Sequence, residues 1–138
     1  MTYINNRKIL ITGADGLLGS ELKRFSFNGF DTYFFSRRDL DITNDKLLAT
    51  KFEEIKPDFF INTAAFTNVD RAETDKEKAF QVNASSLKTI SNLCLRYNTI
   101  LIHISTDYVF TGNSLNYIFT EDSVVEPVNY YGYTKAEG

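Results

Sequence analysis

A doubly wound α/β domain built on a parallel sheet is the fold class that this sequence predicts, and three observations predict it. Short runs rich in β-branched and aromatic residues alternate with longer runs of helical period. One of the short runs, "TILIHIS" at 99–105, is apolar on both faces, as expected where helices cover both sides of a parallel sheet. A glycine triplet, Gly13, Gly16 and Gly19, stands between the first strand and the first helix.

The elements follow in chain order. "KILIT" at 8–12 reads as the first buried strand. A helix over 17–27 follows, with Leu18, Leu22 and Phe25 recurring at spacings of four and three, and stops near Gly29, which tolerates a left-handed cap. "DTYFFS" is the second strand. Asn44 and Asp45 cap a helix through "KLLATKFEEIK", Pro57 closes it, and "DFFIN" is the third strand. A long helix is expected from about Asp75 to Tyr97, with Phe80, Leu87, Ile90, Leu93 and Leu95 as most of its apolar side. The charge-rich stretch "RAETDKEK" reads as a solvated helix start. Five β/α units in this order imply a doubly wound sheet.

Composition limits the function classes. With 138 residues, 43% of them hydrophobic, the chain builds one core and one domain. A formal net charge of −3 offers no concentrated basic face, so nucleic acid is not an expected partner. A single cysteine, Cys94, forms no intrachain disulfide, and no His/Cys cluster suggests zinc. No apolar stretch approaches the roughly 20 residues of a membrane span, so the expectation is a cytoplasmic protein with no membrane partner.

The glycine triplet carries the first chemistry. A phosphate-binding turn needs glycine where the backbone bends, where it approaches the pyrophosphate, and where helix packs on strand. The spacing is G-x-x-G-x-x-G rather than G-x-G-x-x-G, but its place between strand and helix supports a dinucleotide cradle over a plain turn. The expected cofactor loop is Gly13, Asp15, Gly16, Leu17, Leu18 and Gly19, with the Asp15 side chain turned outward, away from an anion. About twenty residues on, "FFSRRDLDI" places Ser36, Arg37 and Arg38 where the adenosine ribose is read. Guanidinium pairs bidentately with phosphate, which favours NADP(H). Asp39 just beyond keeps NAD(H) open.

Three further segments complete a pattern: "PDFFINTAAFTNVDRAE" at 57–73, "HISTDYVFTG" at 103–112 and "YYGYTK" at 130–135. With the glycine loop they resemble the extended short-chain dehydrogenase/reductase superfamily, and most closely its reductases of dTDP-linked 4-keto sugars. The resemblance covers nearly the whole chain. It implies a Rossmann domain that binds NAD(P), a dTDP-sugar substrate, and a catalytic set of Thr106, Tyr131 and Lys135, with Ser105 the less favoured alternative to Thr106. The residue types suit ketone reduction. A tyrosine hydroxyl titrates near 10 in water and is a reluctant proton donor at neutral pH. A lysine four residues later lies on the same helical face, and its charge favours tyrosinate. Tyr131 and Lys135 have that spacing; Tyr130 does not.

By the same resemblance, Tyr131 and Lys135 also touch the cofactor, Lys135 at the nicotinamide ribose. Ala64 and Ala65 pass close to it, and Asp41 with Ile42 borders the adenine. Val69, Thr106 and Asp107 form the expected substrate contacts; Asp70 is either near the sugar or a helix cap. Asn83 matches a family asparagine of unassigned role, and His103 is expected to be structural. Sugar-nucleotide dehydratases of the superfamily place a glutamate after this aspartate, whereas Tyr108 follows Asp107 here, which favours reduction over elimination. The alternatives are another sugar-nucleotide reductase or epimerase, or a non-catalytic NADP-binding subunit similar to the regulatory beta subunit of methionine adenosyltransferase. The resemblance allows magnesium, assigned to no residue, and a homodimer. Members usually run to about twice this length. The Rossmann domain is therefore expected to be truncated before its substrate lobe, with a frayed catalytic helix and little turnover.

Overall fold

A computed structural model describes residues 6–112 and 118–138. The backbone falls into two compact units, Met1–Ala64 with Thr89–Ile104, and Ala65–Lys88 with Ser105–Gly138.

The first unit holds a parallel sheet of β1 (Arg7–Thr12), β2 (Phe30–Phe35), β3 (Phe59–Asn62) and β4 (Ile100–His103), in the order β2-β1-β3-β4. Ile9 lies opposite Thr32 on one side and Phe59 on the other. Ile9, Leu10, Ile11 and Phe60 are buried, as befits the two inner strands of a parallel sheet. The order reverses about β1: the chain steps one way to β2, then crosses back to β3 and on to β4. With right-handed crossovers the two directions place helices on opposite faces, so the sheet is doubly wound as the sequence predicts. Among the described residues four strands form, not the five units expected. After β4 the backbone enters a short 3-10 turn, and Val124, Val125 and Val128 beyond it are exposed rather than paired.

The helix α1 (Leu17–Leu22) is shorter than expected, and of its residues only Gly19 is buried. Its last turn tightens to bonds of the i to i+3 kind, Arg24 N–H to the Glu21 carbonyl (2.9 Å) and Phe25 N–H to that of Leu22 (3.2 Å), and there it ends. Leu18 and Phe25, assigned to its apolar stripe, are exposed. Gly29 takes the expected left-handed conformation, φ 82°.

The expected cap of α2 (Asp45–Ile55) forms: Asn44 Oδ1 accepts from the Leu47 N–H at 3.1 Å. Lys56 ends the helix in a left-handed turn, φ 51°, just before Pro57. Phe52, on its buried side, stacks on Phe60 of β3 at 5.3 Å and meets Tyr97 at 5.8 Å. Replacing Asn44 by alanine leaves the Leu47 N–H without its partner and should cost about 1 kcal/mol in urea unfolding. Asn44→Asp, which keeps the acceptor, should stay near the wild type.

The single helix expected from Asp75 to Tyr97 is two helices joined by a π-turn, with a further short helix before them. These are α3 (Val69–Thr74), α4 (Lys76–Phe80), the π-turn Gln81–Ser85 and α5 (Ser86–Tyr97). Asp75, at φ −109° and ψ 53°, breaks the path between α3 and α4. Leu87, Ile90 and Leu93 are buried as expected, but Leu95 is exposed and Cys94 takes its place. Cys94 lies four residues from Ile90 and seven from Leu87, on their face, whereas Leu95 is turned away. The strand β4 departs too: Ile100 and Ile102, on one side of it, are exposed, while Leu101 and His103, on the other, are half-buried.

The second unit holds α3, α4, the π-turn, the first turn of α5, the 3-10 turn Asp107–Val109 and α6 (Tyr130–Glu137). Tertiary contacts anchor the start of α6. Asn129 Oδ1 caps it through the Gly132 N–H at 2.7 Å, and Glu73 Oε1 accepts from the Tyr130 N–H at 2.7 Å. Among the described residues no helix is long and apolar enough to cross a membrane.

Candidate active site

In the first unit, the glycine turn sits at the carboxyl ends of β1 and β3, where the strand order reverses. Open α/β sheets bind ligands at such a point. Gly13 turns the chain at φ 73°, and a Cβ there would lie 2.6 Å from the Ala64 nitrogen and 2.7 Å from the Thr63 carbonyl carbon. The Gly16 N–H bonds the Gly13 carbonyl at 2.9 Å, and Gly19 packs so closely on that carbonyl that a Cβ would overlap it. The Ala14 N–H reaches the Phe35 carbonyl at 3.0 Å, tying the loop to the end of β2. Leu17 and Leu18 are exposed at the head of α1, and Asp15 turns outward as expected, pairing with Lys23 at 3.2 Å.

Beneath the turn lies a buried polar link that the sequence reading does not assign. Asn62 Oδ1 accepts from Thr12 Oγ1 (2.7 Å) and from the Ala64 N–H (3.2 Å), and its Nδ2 faces His103 Nδ1 at 3.2 Å. A backbone N–H only donates, so Oδ1 must face Ala64 and Nδ2 must donate to His103. The His103 ring then accepts at Nδ1 and carries its proton on Nε2. Its one sequence signal is an asparagine ending an otherwise apolar strand.

At the end of β2, Ser36 is buried and donates its hydroxyl to Asp39 Oδ2 at 2.6 Å; the Ser36 N–H donates to the same oxygen at 3.1 Å. These two bonds hold the Asp39 carboxyl below its usual range. Arg37 Nε pairs with Asp41 Oδ2 at 3.1 Å, and Asp41 Oδ1 accepts from the N–H and hydroxyl of Thr43 at 3.0 and 2.7 Å. Burial alone would raise Asp41, but the bonds from Thr43 and Arg37 outweigh it and hold that carboxyl low. Ile42 is buried and Arg38 exposed. The turn and the two arginines fit a dinucleotide: glycine stands where no side chain has room, and both guanidinium-bearing residues are exposed.

In the second unit, Thr106, Asp107 and Tyr131 are brought together. Thr106 caps the 3-10 turn, its Oγ1 accepting from the Tyr108 N–H (3.3 Å) and donating to Asp107 Oδ1 (3.2 Å). The Tyr108 ring meets the Tyr131 ring edge-on at 5.8 Å. Gly132 lets α6 close on this turn, since a Cβ there would overlap the Tyr108 carbonyl oxygen. Tyr130 is used otherwise: Lys76 Nζ lies 5.0 Å from its ring centre and Tyr133 packs on it at 5.5 Å. Lys135, one turn beyond Tyr131, is 5% exposed. Burial pushes its ammonium down from 10.5 to about 8, still largely protonated at neutral pH. Val69 heads α3 half-buried and Ala65 is half-buried. Asp70 is not the cap: Asn68 Oδ1 accepts from the Arg71 N–H at 2.8 Å, and Asp70 lies in the first turn. Asn83 bonds Phe66 and Thr134, a residue the sequence reading does not single out.

A parallel sheet wound on both faces, with a glycine turn at its switch point, defines a Rossmann-like domain of the kind found in dehydrogenases and reductases. The comparisons with known proteins agree with this class. The chain belongs to the RmlD substrate binding domain family, whose model matches residues 7–138. It is 36% identical over 133 residues to the dTDP-4-dehydrorhamnose reductase of Aggregatibacter actinomycetemcomitans, covering 95% of this chain and 45% of that protein. Against the enzyme of the same name from Burkholderia thailandensis it is 39% identical over 132 residues, covering 95% and 44%. Among solved structures, the dTDP-4-dehydrorhamnose reductase of Bacillus anthracis in complex with NADP superposes with a TM-score of 0.92 at 34% identity, covering 96% of this chain and 48% of that one. The chain thus spans about half the length of the curated relatives it matches.

Proposed function

We propose that this chain is the cofactor-binding and catalytic part of a reductase that converts the 4-keto group of dTDP-4-dehydro-L-rhamnose to the alcohol of dTDP-L-rhamnose, using NADPH in preference to NADH. The observation that carries this reading is Tyr131 on α6, packed against the turn that bears Thr106, with the buried cation Lys135 one helical turn on. The glycine turn would hold the pyrophosphate, and Arg37 and Arg38 the adenosine phosphate. The nicotinamide cofactor supplies hydride when bound. The Tyr131 hydroxyl gives its proton to the substrate carbonyl oxygen, and the Lys135 charge offsets the tyrosinate that forms. Thr106 donates to the same oxygen, redirecting the hydrogen it now gives to Asp107.

The family relationship to named reductases supports this reading over epimerisation or a purely regulatory role. The full-length protein should oxidise NADPH with dTDP-4-dehydro-L-rhamnose. Tyr131→Phe should cut kcat on the order of 10²-fold, far more than it changes the Kd for NADPH. A full-length protein that binds NADPH but turns over no 4-keto sugar nucleotide would overturn the proposal in favour of a regulatory subunit.

A further inference from the structure

We propose that α3 and α4 set the rotation of α6, with Glu73 as the positioning residue: by holding the Tyr130 N–H, it fixes how the next residue, Tyr131, is presented to the turn of Thr106. The inference rests on the reductase reading for what Tyr131 does. Consecutive residues of a helix point about 100° apart, so a helix gripped at Tyr130 has little freedom in where it sends Tyr131.

Glu73 stands in the last turn of α3, and its Oε1 accepts from the Tyr130 N–H at 2.7 Å. That N–H is the first of α6 and has no acceptor within its own helix. A carboxylate there also faces the positive end of the helix, and a bond from a backbone N–H to a charged oxygen is stronger than a neutral one. The side chains of the same face of α6 rest on α4. Lys76 and Phe80, four residues apart, share a face of α4. Lys76 Nζ stands 5.0 Å from the centre of the Tyr130 ring, and Phe80 stacks on Tyr133 at 6.2 Å with 30° between the planes. Tyr130 and Tyr133, three residues apart, pack on each other at 5.5 Å. Tyr131 does not join them: its ring meets Tyr108 edge-on at 5.8 Å. Gly132 brings α6 against that same turn, where a Cβ would overlap the Tyr108 carbonyl oxygen. The helix is thus seated on α4 by one face and on the 3-10 turn by another. The Asn129 cap marks where α6 begins, but it lies in the same segment and does not set which way the helix is turned. Glu73, fifty-seven residues back, supplies a reference outside that segment.

The test compares Glu73→Ala, which deletes the acceptor, with Glu73→Gln, which keeps an oxygen in its place. Glu73 is exposed, so neither substitution opens a cavity. Two readouts are taken on the full-length protein. The first is hydrogen exchange of the backbone amides by NMR, which needs no turnover. The second is steady-state reduction with NADPH and dTDP-4-dehydro-L-rhamnose, expressed per NADPH-binding site so that only folded protein is counted. In Glu73→Ala the Tyr130 amide should exchange about 10-fold faster, while the amides of the parallel sheet keep their rates. The kcat should fall about 5- to 10-fold, with far smaller changes in KM for the sugar nucleotide and in Kd for NADPH, as displacement of a proton donor without loss of binding requires. Glu73→Gln should recover most of both. Unchanged exchange in Glu73→Ala overturns the inference, as does faster exchange with kcat intact, or a Glu73→Gln that does no better than Glu73→Ala. A wild-type protein with no reductase activity overturns the functional reading instead, and exchange then decides alone whether Glu73 holds the start of α6.

Discussion

Replacing Lys135 by methionine should make the folded chain more stable at neutral pH, on the order of 1 kcal/mol or a few degrees in Tm, while removing the proposed activity. Lys135 is 5% exposed, and burial depresses its ammonium from 10.5 to about 8. Below pH about 8 the folded chain must hold a charge out of water that the unfolded chain keeps solvated, so the full penalty applies there. Between about 8 and 10.5 the folded form has lost its proton while the unfolded form still binds one, so stability rises with pH through that window. Methionine has a similar length, no charge and a flexible stem, so it fills the space without the penalty. Thermal melts of both chains across pH should show a gap that is widest at neutral pH and narrows steadily above pH about 8. Equal melting temperatures at neutral pH would mean that the ammonium is solvated in the folded state. A residue that costs this much stability in place is the kind that activity retains.

Much of the first unit was legible because its signals are local. The apolar run of β1, the asparagine cap of α2, the proline behind it and the glycine triplet are each read within a few residues, and each stands where expected. The same holds for Tyr131 and Lys135, whose spacing of four is a property of one helix. The misreadings arise where the deciding contact is distant in sequence. Ile100, Ile102 and Ile104 look alike in sequence whether or not another element covers their side of the strand, and only the folded arrangement tells the two cases apart.

The segment from 69 to 97 fails for a different reason. From Asp75 on, its apolar positions recur closely enough to read as one helix, but a periodicity count cannot show the separate short helix before Asp75 or the widened π-turn at Gln81–Ser85. That widened turn is where Asn83 finds Phe66, seventeen residues back, and Thr134, fifty-one residues on. Resemblance pointed to Asn83 without a role, because its role lies in bonds to groups that sequence does not bring near. The polar link of Thr12, Asn62 and His103 is hidden in the same way, since its members sit on three different strands.

Gly13→Ala should be strongly destabilising, at about 3 kcal/mol or more. Two independent effects combine. A non-glycine residue in the left-handed region, here φ 73°, costs about 1 to 2 kcal/mol by itself. The new methyl group would also stand 2.6 Å from the Ala64 nitrogen and 2.7 Å from the Thr63 carbonyl carbon. Those are backbone atoms, and Thr63 Oγ1 fixes them further by donating to the Thr12 carbonyl at 2.6 Å. Relief therefore needs the end of β3 to shift against β1, and forcing extra volume into packed structure costs a further 1 to 3 kcal/mol or so. Gly29 supplies the control within the same unit. Its φ is 82°, but a Cβ there would meet nothing within 4 Å, so Gly29→Ala should lose only the conformational part, about 1 kcal/mol. Urea unfolding of the two variants separates the effects, and equal losses would refute the close approach of β1 and β3 at the turn. The same displacement moves the backbone that would receive the pyrophosphate. Gly13→Ala should therefore weaken NADPH binding in fluorescence titration even where the protein remains folded, whereas Gly29→Ala should not.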